Sequence, residues 1–387
     1  MTIKCFVTEA HFDEMVHIRR YLHQHPELSF HEEKTADYIC HYYDKLGIDY
    51  QRHIGGHGIV ATIKGTKPGK TIALRADFDA LPIQDQKDVD YKSTVPGVMH
   101  ACGHDGHTAT LLVTAKILHQ QKEHLSGKVV LIHQPAEEVA PGGAAAMIKD
   151  RALEGVDYVF GTHLWASLPV GTIQTTAGEF MAGADRFTIE INGVGGHGAM
   201  PHDTKDAIII ASALVGECQT IISRRIDPLD TAVLSIGKFQ AGDAFNIIAG
   251  KATLEGTVRT FSPRIQQQII KEMTAIIESF ETRHGITIDF DYMKGYPPVV
   301  NHKDEAEYVI NIAKETPGVS EASFTRPSMT GEDFSYYLLE KPGAFFFTGA
   351  KTDGIFYPHH HPKFDFNEEA MRIASNTFLS IITSFKN

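Results

Sequence analysis

Cysteine and tryptophan are scarce in this chain, positive charge is in deficit, and long hydrophobic runs are missing. The four cysteines (Cys5, Cys40, Cys102, Cys218) lie scattered along 387 residues without the spacing of a disulfide framework. That usage fits a reducing compartment, so a cytoplasmic protein is expected. Lys and Arg total 36 against 48 Asp and Glu, a formal net charge of −12. Nucleic acid is thereby excluded as the main partner, because phosphate binding needs clustered cations. The most apolar stretch, AIIIASALVG from Ala207 to Gly216, is too short to span a bilayer, and no membrane partner is expected. The opening MTIKCFVTEAHFDEM carries neither the basic patch nor the apolar core and small-residue cleavage site of a signal peptide. Repeats, low-complexity tracts and long linkers are lacking as well.

Histidine is plentiful. The chain has 22, several in the runs His100-Ala-Cys-Gly-His104-Asp-Gly-His107 and His359-His360-His361. Histidine mixed with Cys, Asp and Glu is the raw material of metal sites.

The length suggests two or three domains, by a rough prior. His11 to Leu46 reads as helical with a break at His25-Pro26, and Gly47 ends the second helix. Strands are expected at Thr71–Arg75, Lys128–His133, Tyr158–Thr162 and Ala344–Gly349, and helices at Thr108–Gln120, Ala144–Asp150 and Glu368–Phe385. This alternation, with nearly continuous apolar strands, argues for an α/β fold: a mixed, largely parallel sheet covered by helices on both faces. The middle of the chain differs. Arg186–Asn192, Ala232–Phe239, Ala252–Thr260 and Ile286–Met293 alternate like half-exposed antiparallel strands, with helices at about 206–222 and 263–283. That order matches a ferredoxin-like α+β unit. The expected organisation is a catalytic domain over 1–177 and 293–387, with an inserted domain over 178–292.

In an open parallel sheet, ligands bind beyond the carboxyl ends of the strands. The unusual polar residues fall there: Asp77 and Asp79, Glu137 and Glu138, His163, and the three histidines 359–361, with Cys102 and His104 in a loop before a helix. Cys102, His104, Glu138, His163 and one of His359, His360 and His361 make a mixed sulfur, nitrogen and oxygen ligand set. Thiolate and imidazole suit zinc, and the carboxylate extends the set to manganese or cobalt. Five ligands exceed what one tetrahedral ion needs if a water is kept, so a bridged pair of ions fits better.

Several motifs occur in order: RADFDALPI (75–83), MHACGHDGHTA (99–109), HQPAEE (133–138), GTHLW (161–165), GVGGHGAMPH (193–202), GTVRTF (256–261), GEDFSYY (331–337) and HHPKFDF (360–366). With RRYLHQHPELSFHEEKTADYI (19–39), they resemble the aminoacylase and carboxypeptidase-G-like metallopeptidases, in the branch of hippurate hydrolases and auxin-conjugate amidohydrolases. The resemblance runs nearly end to end. It implies an inserted lid or dimerisation domain, a homodimer or higher homo-oligomer formed through it, and two divalent metal ions per subunit. Zinc or manganese is expected, with cobalt or nickel also compatible. By resemblance Cys102 is the bridging ligand, His104, Glu138, His163 and His360 complete the set, Glu137 is the general base, and Asp79 orients a ligand. Related peptidases outside the branch have a histidine ligand where this chain has Asp77, and His104 takes its place. His197 would stabilise the oxyanion in a partner subunit's site, while Asn246 and Arg259 would bind the substrate carboxylate.

The implied activity is cleavage of the amide bond of small N-acyl amino acids by metal-activated water with a glutamate base. A di- or oligopeptidase on the same two-metal site is the alternative within enzymes. A metal-binding or scaffolding protein without catalysis is the alternative outside them, opposed by the presence of Glu137, Asp79 and every proposed ligand.

Overall fold

The computed structural model describes residues 6–385, so Cys5 and the start of the N-terminal stretch lie outside the described residues. The chain divides into two compact units. One comprises the residues up to Phe180, Val300–Pro327 and those from Asp333 on, and the other comprises Met181–Val299 with Ser328–Glu332. The second unit therefore starts three residues later than the pattern suggested, ends seven later, and takes in a short remote segment. Turn chemistry marks such edges poorly, because the strand pattern runs on past them.

The first unit opens with α1 (Glu9–Gln24), begun by Thr8, whose hydroxyl accepts the His11 amide, and α2 (Glu33–Leu46), ended by Gly47 at φ 66°. The left-handed cap favours glycine at that position. The sheet strands β1 (Tyr50–Ile54), β2 (Gly58–Lys64) and β3 (Lys67–Asp77) follow. Then come α3 (His104–Gln120), β4 (Ser126–Gln134), β5 (Tyr158–Trp165) and β6 (Thr172–Thr175), with Glu321–Phe324 and Gly343–Gly349 completing the sheet. The order is β1-β2-β4-β3-β5, then Gly343–Gly349, β6 and Glu321–Phe324. β4, β3, β5 and Gly343–Gly349 run parallel, while β1 and β2 add an antiparallel edge. The mixed, largely parallel α/β sheet is as expected. The β1–β2 hairpin, β6 and the strand Glu321–Phe324 were not legible, being short or exposed on one side.

Buried on nearly every side, α3 packs against α1 and the terminal helix Glu369–Ser384. It begins four residues earlier than its apolar pattern, because Gly103, at φ 99°, supplies the left-handed N-cap. The four parallel strands carry their carboxyl ends to one edge, and that edge holds the candidate site.

The second unit is a four-stranded antiparallel sheet in the order Ala232–Ala241, Lys251–Thr260, Gly183–Asn192, Thr287–Tyr296, with helices Ala207–Thr220 and Pro263–His284. In chain numbering that is 2-3-1-4, the ferredoxin-like arrangement. The helix expected at about 206–222 runs three residues further than that reading. The helix continues through a π turn to Arg225, so by length and composition it could cross a membrane. Its buried face (Ile210, Ala211, Leu214, Cys218) packs into the core of the second unit. Cys40, Cys102 and Cys218 are all unpaired.

Candidate metal centre

Asp77 ends β3, and its carboxylate is already engaged. Arg75 Nη1 donates to Oδ2 at 2.6 Å and His107 Nδ1 lies 2.6 Å from Oδ1, all three side chains being buried. Burial would raise the Asp77 carboxyl, but Arg75, His104 and His107 outweigh it and hold it well below the usual carboxylate range. Arg75 also donates to Gln134 at 2.9 Å and to Asp333 at 3.0 Å, tying β3 to β4. His107 accepts the Leu164 amide at 2.9 Å, which fixes its tautomer with the proton on Nδ1. Asp77 and His107 thus brace the end of β5 rather than face outward as open ligands.

Two residues on, Asp79 is almost fully buried and binds three partners. His104 Nδ1 sits 3.1 Å from Oδ1, while the Ser29 hydroxyl (2.7 Å) and the Glu138 amide (3.0 Å) both donate to Oδ2. An imidazole anchored through Nδ1 to a carboxylate presents Nε2 in a fixed direction, the usual arrangement behind a metal-ligating histidine. The His104 Nε2 atom is buried and has no hydrogen-bond partner among the described residues, and neither has Glu138 Oε1, 3.8 Å away.

The structure brings the five proposed ligands into two overlapping groups. The ligand atoms of Cys102, His104 and His163 lie within 4.8 Å of one another, and so do those of Cys102, Glu138 and His360. Cys102 is common to both. Its sulfur is 3.3 Å from His163 Nε2, and His360 Nε2 is 3.4 Å from Glu138 Oε2. Of the three C-terminal histidines, His359 accepts the Ala166 amide and His361 accepts the Lys363 amide, leaving His360, at φ 66°, beside Glu138. Glu137 and Glu138 both approach His104 within the same 4.8 Å.

The electrostatics suit a cation. Burial and the charges of Glu138, Glu137 and Asp77 push the Cys102 thiol well up, so a thiolate there calls for a neighbouring positive charge. Burial alone would depress His104, yet Asp77, Asp79 and Glu138 outweigh it and push it up to about 10. His163, buried beside His107 and His359, is pushed well down and stays neutral, as a ligand must. Unpaired buried donor atoms, a mixed S/N/O set and surplus negative charge together fit a pair of divalent ions.

His197, Asn246 and Arg259 lie in the second unit. His197 pairs with Ile247 across a short antiparallel ladder, and the Gly198 amide donates to the Asn246 carbonyl at 2.9 Å, so these two residues share one exposed loop pair. The His197 Nδ1 accepts the Ala199 amide at 3.1 Å, which leaves Nε2 as the donor. Arg259, on the strand Lys251–Thr260, donates to the Thr257 hydroxyl at 2.5 Å.

Sequence reasoning gave no role to His107, Arg75, Gln134, Asp333, Ser29 or Glu32. The RAD and HQP motifs contain two of them, Arg75 and Gln134, but nothing in the spacing said that these join Asp333 in one hydrogen-bond network.

A model of peptidase family M20/M25/M40 matches residues 73–384. The protein YhaA of Bacillus subtilis (strain 168) is 54% identical over 366 residues, 94% of this chain and 92% of that one. The N-acyl-L-amino acid amidohydrolase of Geobacillus stearothermophilus is 44% identical over 302 residues, covering 78% of this chain and 81% of the relative. Among solved structures, the YXEP protein of Bacillus subtilis, described as a dinuclear metal binding peptidase from the M20 family, matches with a TM-score of 0.83. It is 35% identical, over 97% of this chain and 98% of that one.

Proposed function

This chain belongs to peptidase family M20/M25/M40 and is a hydrolase acting on amide bonds, and from that premise we propose that it releases free amino acids from small N-acyl amino acids. One observation carries the reading. Cys102 stands in two ligand groups at once, with Glu137 beside Glu138 and in neither group that Cys102 joins. Two ions, zinc or manganese, would be held by Cys102, His104 and His163 and by Cys102, Glu138 and His360. When bound, such ions lower the pKa of water and polarise the scissile carbonyl. Asp79 fixes His104 and, through the Glu138 amide, the backbone that presents Glu138. Glu137, 7% exposed, takes the proton of the attacking water and hands it to the leaving amine. The N-acyl-L-amino acid amidohydrolase among the relatives supports this substrate class.

The proposal includes a homodimer in which His197 steadies the oxyanion in the partner's site, with Asn246 and Arg259 gripping the free carboxylate. The second unit supports it. Ile209 (64% exposed) and Phe239 lie outward on a helix and an edge strand, surfaces suited to pairing with another copy. A cytoplasmic location belongs to the same proposal and rests on the cysteine usage.

A peptidase role is the second reading, favoured by the similarity to YXEP. The experiment is turnover of N-acetyl amino acids against free-amino dipeptides, using protein stripped with a chelator and reloaded with zinc or manganese. We expect no turnover without metal, recovery with it, and preference for the acylated substrates. Cys102→Ala should lose at least one ion of the pair. Preference for dipeptides would replace the first reading with the second, and full turnover by metal-free protein would remove both.

A further inference from the structure

Consecutive side chains on an extended chain point to opposite sides, yet Glu137 and Glu138 both reach His104. The chain must therefore leave strand geometry just after β4, and it does so at Ala136. This residue sits at φ 53°, a left-handed conformation that a non-glycine residue rarely adopts without support. Support comes from far away in sequence. Glu32 is fully buried, and one of its carboxylate oxygens accepts the Ala136 amide at 2.8 Å. Glu32 is the N-cap of α2, where a carboxylate ordinarily binds the first amides of its own helix, but it makes no such bond. Three residues earlier Ser29 donates to the same Asp79 oxygen that accepts the Glu138 amide. The segment 29–32 thus holds the 136–138 turn from both ends, at Ala136 directly and at Glu138 through Asp79.

We infer that Glu32 is a positioning residue. Its hydrogen bond to the Ala136 amide keeps that residue left-handed, so that Glu137 and Glu138 address one point. The role rests on the reading of Glu137 as base and Glu138 as ligand. Burial and the charge of Asp79 push the Glu32 carboxyl up to about 7, so the neutral amide of glutamine is a close mimic of it near neutral pH.

The test uses Glu32→Gln, which can accept the same bond, against Glu32→Asp, which keeps the carboxyl group but falls one methylene short, with Glu32→Ala beside them. In the metal-loaded enzyme, Glu32→Asp and Glu32→Ala should lose roughly 10–100-fold in kcat with KM within about 2-fold, the effect of a misplaced group, while Glu32→Gln stays within about 3-fold of wild type. Adding Ala136→Gly, which makes the left-handed turn easy, should restore a good part of the loss in Glu32→Asp. Hydrogen–deuterium exchange of the peptide containing Ala136, in stripped protein, gives a second readout. Its protection should vanish in Glu32→Asp and persist in Glu32→Gln. Glu32→Gln as impaired as Glu32→Asp, or unchanged exchange and kcat in Glu32→Asp, overturns the inference. If Glu32→Ala does not fold, the Gln and Asp pair decides. Should wild type hydrolyse no amide substrate at all, the functional reading fails, and the exchange data still decide whether Glu32 holds Ala136.

Discussion

Glu137 and Glu138 are identical side chains to which their surroundings give different work. Glu138 has its amide on Asp79 and its carboxylate near His104 and His360, whereas Glu137 joins neither group built on Cys102. Under the proposed roles, Glu137→Gln keeps the shape but cannot accept a proton, and turnover should fall by roughly 10²–10⁴. Metal stoichiometry, read by elemental analysis, should stay near wild type. An emptied site in Glu137→Gln, with ions retained in Glu138→Gln, would mean that the roles are exchanged. Away from the site, Asp85 is buried and bonded to His23 at 3.2 Å and to the Lys87 and Ser93 amides. Burial opposes ionisation, but those bonds win and hold its carboxyl down to about 2. A folded pKa below the unfolded value of about 3.9 means that Asp85 stabilises the fold above about pH 4 and loses that contribution as pH falls towards 2. The contribution is on the order of 2 kcal/mol. Urea unfolding of Asp85→Asn should therefore show a deficit at pH 6 that narrows on acidification, and a gap independent of pH would assign the loss to packing instead.

At the scale of elements, α3, which opens with the proposed ligand His104, lies very close to β5 at Gly106. A Cβ on Gly106 would stand 2.5 Å from the Phe366 ring and 2.7 Å from Leu164 Cδ1, both buried. Alanine is the better helix former by about 1 kcal/mol, but overpacking a filled core costs about 1–3 kcal/mol. We expect the clash to win, so Gly106→Ala should lower the melting temperature, and His163, next to Leu164, should be disturbed along with it. A rise in melting temperature would show that the helix has room to shift. The sequence pattern located α3, β3, β4 and β5 by their buried stretches but cut each of them short, β3 most of all, which runs Lys67–Asp77 where Thr71–Arg75 was expected. The hairpin of β1 and β2 escaped notice, β1 being five residues with none buried, although β2 buries Ile59, Ala61 and Ile63.

At the scale of the whole molecule, the two units divide the proposed machinery. Ligands, base and Asp79 belong to one, and His197, Asn246 and Arg259 to the other. His197→Ala should lower turnover by about 10²–10³, the usual loss for one oxyanion donor, without loss of metal. Mixing inactive Glu137→Gln with inactive His197→Ala separates the options. If His197 serves a partner's site, subunit exchange should restore activity at one site per mixed dimer, the one with Glu137 from one chain and His197 from the other. No recovery despite proven exchange would confine His197 to its own chain.

By itself the sequence determined the α/β class, the ferredoxin-like middle, and which residue types would meet at the strand ends. Those follow from periodicity and from the rule that parallel strands deliver their carboxyl ends to one edge. The choice among His359, His360 and His361 was made by resemblance, and only the fold shows what each ring touches. Tertiary structure alone decided that Asp77 is spent on Arg75 and His107, and that Glu32 reaches Ala136 across 104 positions. Such bonds join residues far apart in the chain, and no local pattern encodes them, because their geometry exists only once the sheet has closed around α3.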